Sequence, residues 1–355
     1  MSNKHGKVTL GATGDILLHS RLYNKAKEKD GSYDFRNMLE NATPLFDEDH
    51  LIIVNQESII AGEEMGLSSF PNFNSPVEIG YQLKDMNVDI VNIANNHTLD
   101  WDEEGIIQSI KNWEKIGLPY VGAYKSNEDQ ETLRIIHKNG IRFCFLSYTR
   151  GTNGKSTPKG KDYLLNIYGK TKYAGRTGAP SLRRLINRIK KEDLADVFIV
   201  SMHFGKEYHM LPTNYQLETV IDLSDAGANI ILGHHPHVLQ PPAFLENSKG
   251  QRNFAAYSLG NFFSGQKGLY RQIGGYLTID IEKEDNNKLI DISKPTFNLT
   301  FVDATDKKDY KIHLLKDYIK SHKTIKTDVG EFDAETTYQK MIAHMQTYIP
   351  NMNVE

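Results

Sequence analysis

Residues 233–240 read Gly-His-His-Pro-His-Val-Leu-Gln, which places three histidines within four positions. The apolar residues 230–232 come directly before them and predict a buried strand that ends at the histidines. In extended backbone His235 and His237 would share one face, and Pro236 between them restricts φ. Two imidazoles on one side of a strand end suit a divalent metal. The alternative for this segment alone is a polar turn whose histidines form ordinary hydrogen bonds.

Other polar residues follow separate apolar runs in the same way. They are Asp15 after residues 8–13, Glu57 after residues 51–54, Asn96 and His97 after residues 89–93, and His203 after residues 197–200. Taken singly, Asp15 also fits a helix N-cap and Glu57 an exposed strand end. Taken together, these residues stand at the carboxyl ends of predicted strands, where open α/β sheets bind ligands. The set offers nitrogen and oxygen donors without a thiolate and therefore predicts a site for Zn, Mn or Fe.

Helices are predicted between these strands. Residues 101–116 have helical spacing and Gly117 suits a C-terminal cap. Residues 180–191 and 217–226 repeat the pattern, and Gly227 closes the second of them. The alternation predicts an α/β fold with a largely parallel sheet or pair of sheets. A chain of 355 residues suits one large domain or two smaller ones.

The composition narrows the classes of function. The net charge of −3 gives no basic footprint for nucleic acid. Cys144 is the single cysteine and lies in an apolar run, so we expect it in the core and exclude a disulfide within the chain. No run approaches the roughly 20 apolar residues of a transmembrane helix. Residues 1–7 are too short and polar for a signal peptide, and a lost N-terminal anchor is compatible with these observations.

Two regions lie outside this pattern. The loop over residues 148–179 is long and rich in Gly, Lys, Thr and Tyr, with Lys155 among several basic residues. Such a loop predicts a lid or a binding element, with a solvated surface excursion as the alternative. After residue 282 the chain becomes more charged, and we expect surface helices over residues 306–321 and 334–348. The predicted organisation is a domain over residues 8–282 and a C-terminal extension over residues 283–355 whose helices pack on it.

Six short motifs of this chain occur together in a known family. They are Gly14-Asp15, Asn55-Gln56-Glu57, Ala94-Asn95-Asn96-His97, His203-Phe204-Gly205-Lys206-Glu207-Tyr208, Gly233-His234-His235-Pro236-His237-Val238 and Tyr257-Ser258-Leu259-Gly260-Asn261-Phe262. In this combination, over residues 8–281, the chain resembles the CapA family of bacterial capsule synthesis and poly-γ-glutamate biosynthesis proteins. The resemblance implies a calcineurin-like metallophosphoesterase fold, which is a four-layer α/β sandwich. It also implies a protein anchored in the cell membrane that faces outward beside the poly-γ-glutamate synthase.

The resemblance also implies roles for individual residues. The implied metal ligands are Asp15, Glu57 in the place of the usual bridging Asp, Asn96, His203, His235 and His237. His97 corresponds to the catalytic histidine, and we place Glu207 beside it in the catalytic group. Asn261 and Lys155 are the candidate substrate-binding residues. The expected cofactor is one or two divalent ions of Mn, Fe or Zn.

Two positions depart from the family's pattern. Leu17 stands two residues beyond Asp15, where the usual Asp-x-His motif has a ligand, and His19 is four residues beyond. Glu57 is longer than the usual Asp. We therefore expect one metal to bind tightly and a second to bind weakly or not at all.

Three hypotheses about function follow from these residues. The first is a metal-dependent hydrolase or transferase that acts on a phosphoester or on the γ-amide backbone of poly-γ-glutamate, with His97 as general acid or as the group that stabilises the developing oxyanion. The second is a non-catalytic assembly or export factor that binds the polymer or the membrane synthase subunits, with the lysine-rich loop on the polymer carboxylates. The third is a phosphatase of the same fold in the cytoplasm. The expected location is the extracellular face of the membrane, with the cytoplasm as the alternative, and no nucleic-acid partner is expected.

Overall fold

A computed structural model gives the fold of residues 6–169, 176–284, 289–304 and 309–355. Its strands are, in chain order, β1 (Gly6–Leu17), β2 (Leu51–Gln56), β3 (Ile90–Asn92), β4 (Tyr120–Val121), β5 (Arg134–Lys138), β6 (Ile141–Thr149), β7 (Ile167–Tyr168), β8 (Arg176–Thr177), β9 (Val197–His203), β10 (Ile230–His234), β11 (Leu239–Gln240), β12 (Ala243–Glu246), β13 (Arg252–Ala256), β14 (Ser258–Leu259), β15 (Asn261–Ser264), β16 (Ile273–Lys283), β17 (Ile290–Asp303), β18 (Lys311–Leu314), β19 (Thr324–Thr327), β20 (Gly330–Asp333) and β21 (Asn353–Val354).

The helices alternate with strands through the first two thirds of the chain. They are α1 (Ser20–Ala26), α2 (Arg36–Leu39), α3 (Glu78–Asp85), α4 (Asp102–Ile116), α5 (Asn127–Glu131), α6 (Ala179–Lys191), α7 (Asn214–Ala226), α8 (Leu269–Gln272), α9 (Leu315–Ser321) and α10 (Ala334–Met345), with 3-10 turns at Thr43–Leu45, Glu63–Met65 and Asp162–Leu164. The caps predicted at Gly117 and Gly227 are present, since both residues have left-handed backbone with φ of 78° and 114°. Within the described parts of the chain, no helix has the length and apolar character that a bilayer span requires.

The strands form two large mixed sheets. The first has the order β18-β17-β16-β1-β2-β3-β4, with β15 beside β1 and β21 beside β17. Strands β1 to β4 are parallel in it, whereas β16, β17 and β18 are antiparallel. The second has the order β12-β13-β10-β9-β6-β7-β8, with β5 beside β6. Its central strands β6, β9, β10 and β13 are parallel, as the alternation of strands and helices predicts.

Alternating side chains of the strands divide between two faces, and this division builds the layers. In β10, Ile230 and Leu232 enter the core between the two sheets, whereas Ile231 packs toward α6 and α7 on the outer face of the second sheet. The outer face of the first sheet is covered by α3 and α4, whose Leu83 and Trp113 are fully buried. The order is therefore helix, sheet, sheet, helix, which confirms the predicted four-layer α/β sandwich.

The residues after 282 add to the first sheet. Strand β17 pairs with β16 over most of its length, and β18 pairs with β17. The predicted helix over residues 306–321 is wrong in its first part, because residues 311–314 form β18 with Ile312 buried, and the helix begins at Leu315. Residues 305–308 lie outside the described residues. Helix α10 ends at Met345 instead of 348, and it buries Met341 and Met345 against the inter-sheet core. The division of the chain at residue 282 stays a prediction.

Two glycines allow backbone segments to approach where the sheets meet. A Cβ atom at Gly233 would lie 2.0 Å from the carbonyl oxygen of Tyr257, and one at Gly14 would lie 2.2 Å from that of Gly260. The backbone N–H of Asp15 donates to the same Gly260 oxygen at 2.8 Å. These approaches place the ends of β1 and β10 against the same segment, residues 257–260.

The substitution Gly233→Ala tests this close approach. We expect it to lower the free energy of unfolding by about 2 kcal/mol, because the new methyl group must displace a backbone carbonyl. The measurement is urea unfolding followed by circular dichroism. Gly151→Ala is the matched control, since an added Cβ there meets no atom within 4 Å, and it should change stability by less than about 0.5 kcal/mol. Equal stability of the two variants would contradict the interpretation.

Candidate metal centre

The predicted site residues come together where the two sheets meet. Asp15 lies near the end of β1, Glu57 follows β2, and His203 ends β9. His235 and His237 follow β10, so the first sheet supplies the carboxylates and the second supplies the imidazoles. Four of these side chains are buried, and that of His235 is partly exposed. The structure thus assembles the residues proposed from sequence, and their roles as ligands stay predictions.

The Asp15 carboxylate is surrounded by donors. Its Oδ1 accepts from Asn55 Nδ2 at 2.8 Å and lies 3.2 Å from His234 Nδ1. Its Oδ2 accepts from the backbone N–H of His235 at 3.3 Å and lies 3.1 Å from His237 Nδ1. Burial opposes ionisation of this group, but the bonds from His234 and His237 outweigh burial and hold the pKa of Asp15 well below its usual range.

The ring of His237 has a defined orientation. Its Nδ1 faces two oxygen acceptors, Asp15 Oδ2 at 3.1 Å and Asn261 Oδ1 at 3.0 Å, so the proton belongs on Nδ1. Its Nε2 faces Glu57 Oε1 at 3.7 Å. Burial alone would lower the pKa of His237, but the charges of Glu57 and Asp15 raise it to about 9. An imidazole oriented through Nδ1 in this way is the usual arrangement of a metal-binding histidine.

Glu57 is the least compensated group of the cluster. It is fully buried, and neither carboxylate oxygen has a hydrogen-bond partner among the described residues. The nearest imidazole nitrogens are His203 Nε2 at 3.5 Å and His237 Nε2 at 3.7 Å from Oε1. Burial raises the pKa of Glu57 well above its usual value. Because an unpaired buried carboxylate is costly, this environment fits a carboxylate whose partner is a bound cation.

Three overlapping sets of donor atoms in the described residues have the spacing that a metal ion needs. Within each set the atoms lie inside 4.8 Å of one another, and the sets are Glu57 with His203 and His235, Asp15 with Glu57 and His237, and Glu207 with His235 and His237. Glu57 belongs to two sets, as expected of a residue in the bridging place. The oxygen and nitrogen donors fit a divalent metal of the first transition row.

The backbone after β10 differs from the expected extended form. His235 has a φ of 96° and His237 a φ of 58°, so both residues are left-handed and do not share a face through a strand. They converge through a turn instead, with ring centroids 6.0 Å apart, while the Pro236 carbonyl accepts from the N–H of Tyr208 at 2.8 Å. Such conformations are uncommon outside glycine and concentrate at functional sites. The strand-face prediction was wrong, although the two imidazoles do come together.

His97 is paired with a carboxylate that the sequence analysis did not select. Its Nδ1 lies 2.7 Å from Asp100 Oδ2, and the same oxygen accepts from the N–H of Phe73 at 2.6 Å. The Phe73 ring meets His97 edge-on at 4.7 Å. The pair fixes the ring and leaves Nε2 as the nitrogen able to exchange a proton. The three-residue spacing of His and Asp was the signal in the sequence.

The other predicted residues lie around this centre in different ways. Asn96 Oδ1 lies 2.8 Å from His203 Nε2, and Asn261 accepts from His237 as described above. Glu207 is exposed at the mouth of the site. Lys155 donates to the carbonyl of Asp100 at 2.6 Å, so its ammonium group contacts the polypeptide rather than open solvent. The assignments of these residues to substrate or catalysis stay predictions.

An apolar residue, Leu17, occupies the position at which the usual Asp-x-His motif has a metal ligand. Leu17 is buried, and the next histidine, His19, turns its Nδ1 to the Leu17 carbonyl at 3.1 Å. Burial lowers the pKa of His19 to about 4. None of the three donor sets found among the described residues includes His19. The departure noted in the sequence therefore persists in the structure.

Several supporting polar residues were not selected from the sequence. Asn92 Nδ2 donates to Asn55 Oδ1 at 2.8 Å, and Ser147 donates to Asn92 Oδ1. This chain of side chains runs from the second sheet to Asp15 and orients Asn55. His234, which was not among the predicted ligands, approaches the same Asp15 oxygen as Asn55 does. Single Asn and Ser residues within buried strands form no sequence pattern that distinguishes such a supporting role.

The fold and the site define a four-layer α/β sandwich with a cluster of carboxylate and imidazole donors where its two sheets meet. The family described as Bacterial capsule synthesis protein PGA_cap matches residues 9–266, and the chain belongs to this family. The resemblance stated from the sequence is thereby confirmed.

Two of the similar proteins are capsule proteins of bacilli. PGA biosynthesis protein CapA of Bacillus subtilis (strain 168) is 35% identical over 185 residues, which cover 52% of this chain and 44% of the relative. Capsule biosynthesis protein CapA of Bacillus anthracis is 27% identical over 267 residues, which cover 73% of this chain and 60% of the relative. The chain thus matches less than two thirds of the length of either relative. A solved structure described as a novel phosphatase from Mycoplasma pneumoniae aligns over 82% of this chain and 94% of its own at 13% identity, with a TM-score of 0.46.

Metal content is the first test of the cluster. We expect the purified protein to contain about one or two equivalents of Mn, Fe or Zn, since the donor set suits these ions. His235→Ala should lose most of this metal in elemental analysis, and Asp15→Ala should do the same. His137→Ala is the matched control, because His137 is exposed on β5 away from the cluster. Equal metal content in all four proteins would contradict the site.

Glu57→Gln separates the charge of this residue from its shape. We expect the metal-free variant to be at least as stable as the metal-free wild type, because a neutral amide replaces an uncompensated buried carboxylate. Added Mn or Zn at a hundredfold excess over its Kd should stabilise the wild type by about 3 kcal/mol and the variant far less. Thermal unfolding with and without metal gives both quantities. An equal metal-dependent shift in the two proteins would exclude Glu57 as a ligand.

Proposed function

We propose that this protein acts in the synthesis of a poly-γ-glutamate capsule through a metal-dependent hydrolytic site that takes the polymer as substrate. The observation that supports hydrolysis is the His97–Asp100 pair beside the metal cluster. A protein that used the metal only to hold its structure would have no need of an oriented, proton-exchanging imidazole there. The names of the two bacillar relatives support the polymer as substrate class.

The residues that would hold the metal are Asp15, Glu57, Asn96, His203, His235 and His237. When bound, a divalent metal of the Mn, Fe or Zn kind supplies Lewis-acid polarisation and acidifies water. The unpaired carboxylate of Glu57 and the approach of His237 Nε2 to its Oε1 at 3.7 Å support this assignment. Because Leu17 replaces one ligand, the proposal includes one tightly bound ion and a weaker second one.

His97 would move the proton of the reaction. In hydrolysis of a γ-amide bond, water adds to the carbonyl carbon and releases a proton to the solvent, the C–N bond breaks, and the departing nitrogen takes a proton from His97, which regains one from the solvent. Nε2 of His97 donates that proton, while Asp100 keeps Nδ1 protonated and stabilises the imidazolium before transfer. In a phosphoester the departing oxygen would take the proton instead. Glu207, exposed at the mouth, would orient the attacking water or the substrate.

The principal alternative is a non-catalytic factor that binds the polymer or the synthase subunits. The absent ligand at Leu17 favours it. The lysine-rich loop supports it less, because Lys155 lies on Asp100 and Lys161 donates to Glu103 at 2.6 Å. Lys170 and Lys172 lie outside the described residues. A phosphatase acting in the cytoplasm is the remaining alternative, whereas the family relationship favours a place on the extracellular face of the membrane beside the synthase.

His97→Ala distinguishes the enzyme from the binding factor. We expect the variant to keep its metal and its affinity for poly-γ-glutamate but to lose hydrolysis by about a hundredfold or more, because the proton donor is removed. Asp100→Asn should lose at least tenfold, since the imidazole would be less well oriented. The assays are release of new amino ends from poly-γ-glutamate and hydrolysis of p-nitrophenyl phosphate. Full activity of the metal-loaded His97→Ala protein would exclude the proposed role.

A further inference from the structure

Two arginines stand next to the ends of the histidine cluster, and the metal site described above does not use them. Arg150 follows β6, and its backbone N–H donates to the carbonyl of His203 at 3.0 Å. Arg271 lies in α8, and its carbonyl accepts from Asn261 Nδ2 at 2.9 Å, while Asn261 contacts His237. Arg150 therefore contacts a predicted metal ligand directly through its backbone, and Arg271 is linked to one through Asn261.

Both guanidinium groups are held against aromatic rings. The Arg150 guanidinium carbon lies 3.9 Å from the centroid of the Tyr215 ring, and that of Arg271 lies 4.8 Å from the centroid of the Tyr208 ring. Stacking restricts the side chain but leaves the edge N–H donors free for a planar anion. Among the described residues, neither guanidinium has a carboxylate within ion-pair distance. Both sites are thus preorganised and lack an anionic partner.

Ring contacts order the site between the two arginines. His203 and His235 have centroids 4.9 Å apart, His235 and His237 6.0 Å, and His237 and Tyr208 6.2 Å. Arg150 adjoins the His203 end of this series, and Arg271 adjoins the Tyr208 end. Tyr208 is 45% exposed and has a left-handed φ of 65°, so an aromatic ring is held at the mouth in an uncommon backbone conformation. Glu207 is the acidic neighbour on this side, and it belongs to a donor set with His235 and His237.

We propose that Arg150 and Arg271 bind anionic groups of the substrate on the two sides of the metal centre. This inference rests on the proposed function and specifies its substrate as a chain with negative groups on both sides of the reacting bond. A carboxylate or a phosphate oxygen would satisfy the same guanidinium edge. We commit to the α-carboxylates of poly-γ-glutamate, which recur on every unit of that polymer. A terminal monoester has an anion on one side and would engage one arginine.

The test compares Arg150→Ala and Arg271→Ala in the metal-loaded protein. Fluorescence anisotropy measures binding of labelled poly-γ-glutamate and, by competition, of inorganic tripolyphosphate. We expect each variant to bind the polymer about tenfold more weakly, and the double variant to lose more. Arg150→Lys should bind the polymer more tightly than Arg150→Ala but more weakly than the wild type. Lysine keeps the positive charge but lacks the paired N–H donors of the guanidinium group. Metal content and thermal unfolding should match the wild type, which separates lost anion binding from a structural defect.

Arg252→Ala is the matched control. Arg252 is exposed like Arg150 and is also stacked, with its guanidinium carbon 3.6 Å from the centroid of Phe244, but it begins β13 at the opposite end of the sheet. If the polymer binds and all three alanine variants bind it equally, the inference is overturned while the proposed function stands. If tripolyphosphate binds through both arginines and the polymer does not bind, the two arginines bind anions as inferred, but the commitment to the carboxylates of poly-γ-glutamate is overturned and the polymer is excluded as substrate. Binding of neither probe to the wild type overturns both.

Discussion

The carboxylate of Asp15 is the contact on which the site depends. It belongs to the first sheet, yet it accepts from or closely approaches His234, His235 and His237, which follow a strand of the second sheet. Its ionised form is favoured because donors surround both oxygens. The glycines at 14 and 233 make this approach possible, since a side chain at either position would meet a carbonyl oxygen. The left-handed turn of the histidine segment follows from this attachment.

The buried polar side chains near Asp15 differ in whether they have hydrogen-bond partners within the protein. Asn55, Asn92 and Ser147 satisfy one another and Asp15, so that part of the network stabilises the fold even without a ligand. Glu57 lies in the same interior with neither oxygen paired among the described residues. The contrast between the paired Asp15 and the uncompensated Glu57 fits a bound cation as the partner of the second carboxylate. Under the proposed function, stability is given up at this residue to create affinity for that cation.

Sequence reasoning was accurate where chemistry is concentrated in short motifs. Apolar runs located the parallel strands, and polar residues directly after them identified Asp15, Glu57, His203 and the histidine segment. It failed where geometry depends on distant partners. The turn at His235 is set by bonds to Asp15 and Tyr208, and β18 is set by pairing with β17 rather than by local propensity. Arg150 could not be predicted for the same reason. A single arginine in the sequence does not indicate a binding site, and only the fold places this one beside the cluster.

The joint between the sheets has a consequence for how this protein responds to its surroundings. Asp15 and His235 are 220 residues apart along the chain. An ion bound by both sheets would close that long loop, and a constraint of this span removes much of the freedom of the unfolded chain. With a single cysteine, the chain has no disulfide of its own to serve that purpose. The ion would act as a removable staple, so that supply of a trace metal would govern the lifetime of the protein as well as its chemistry.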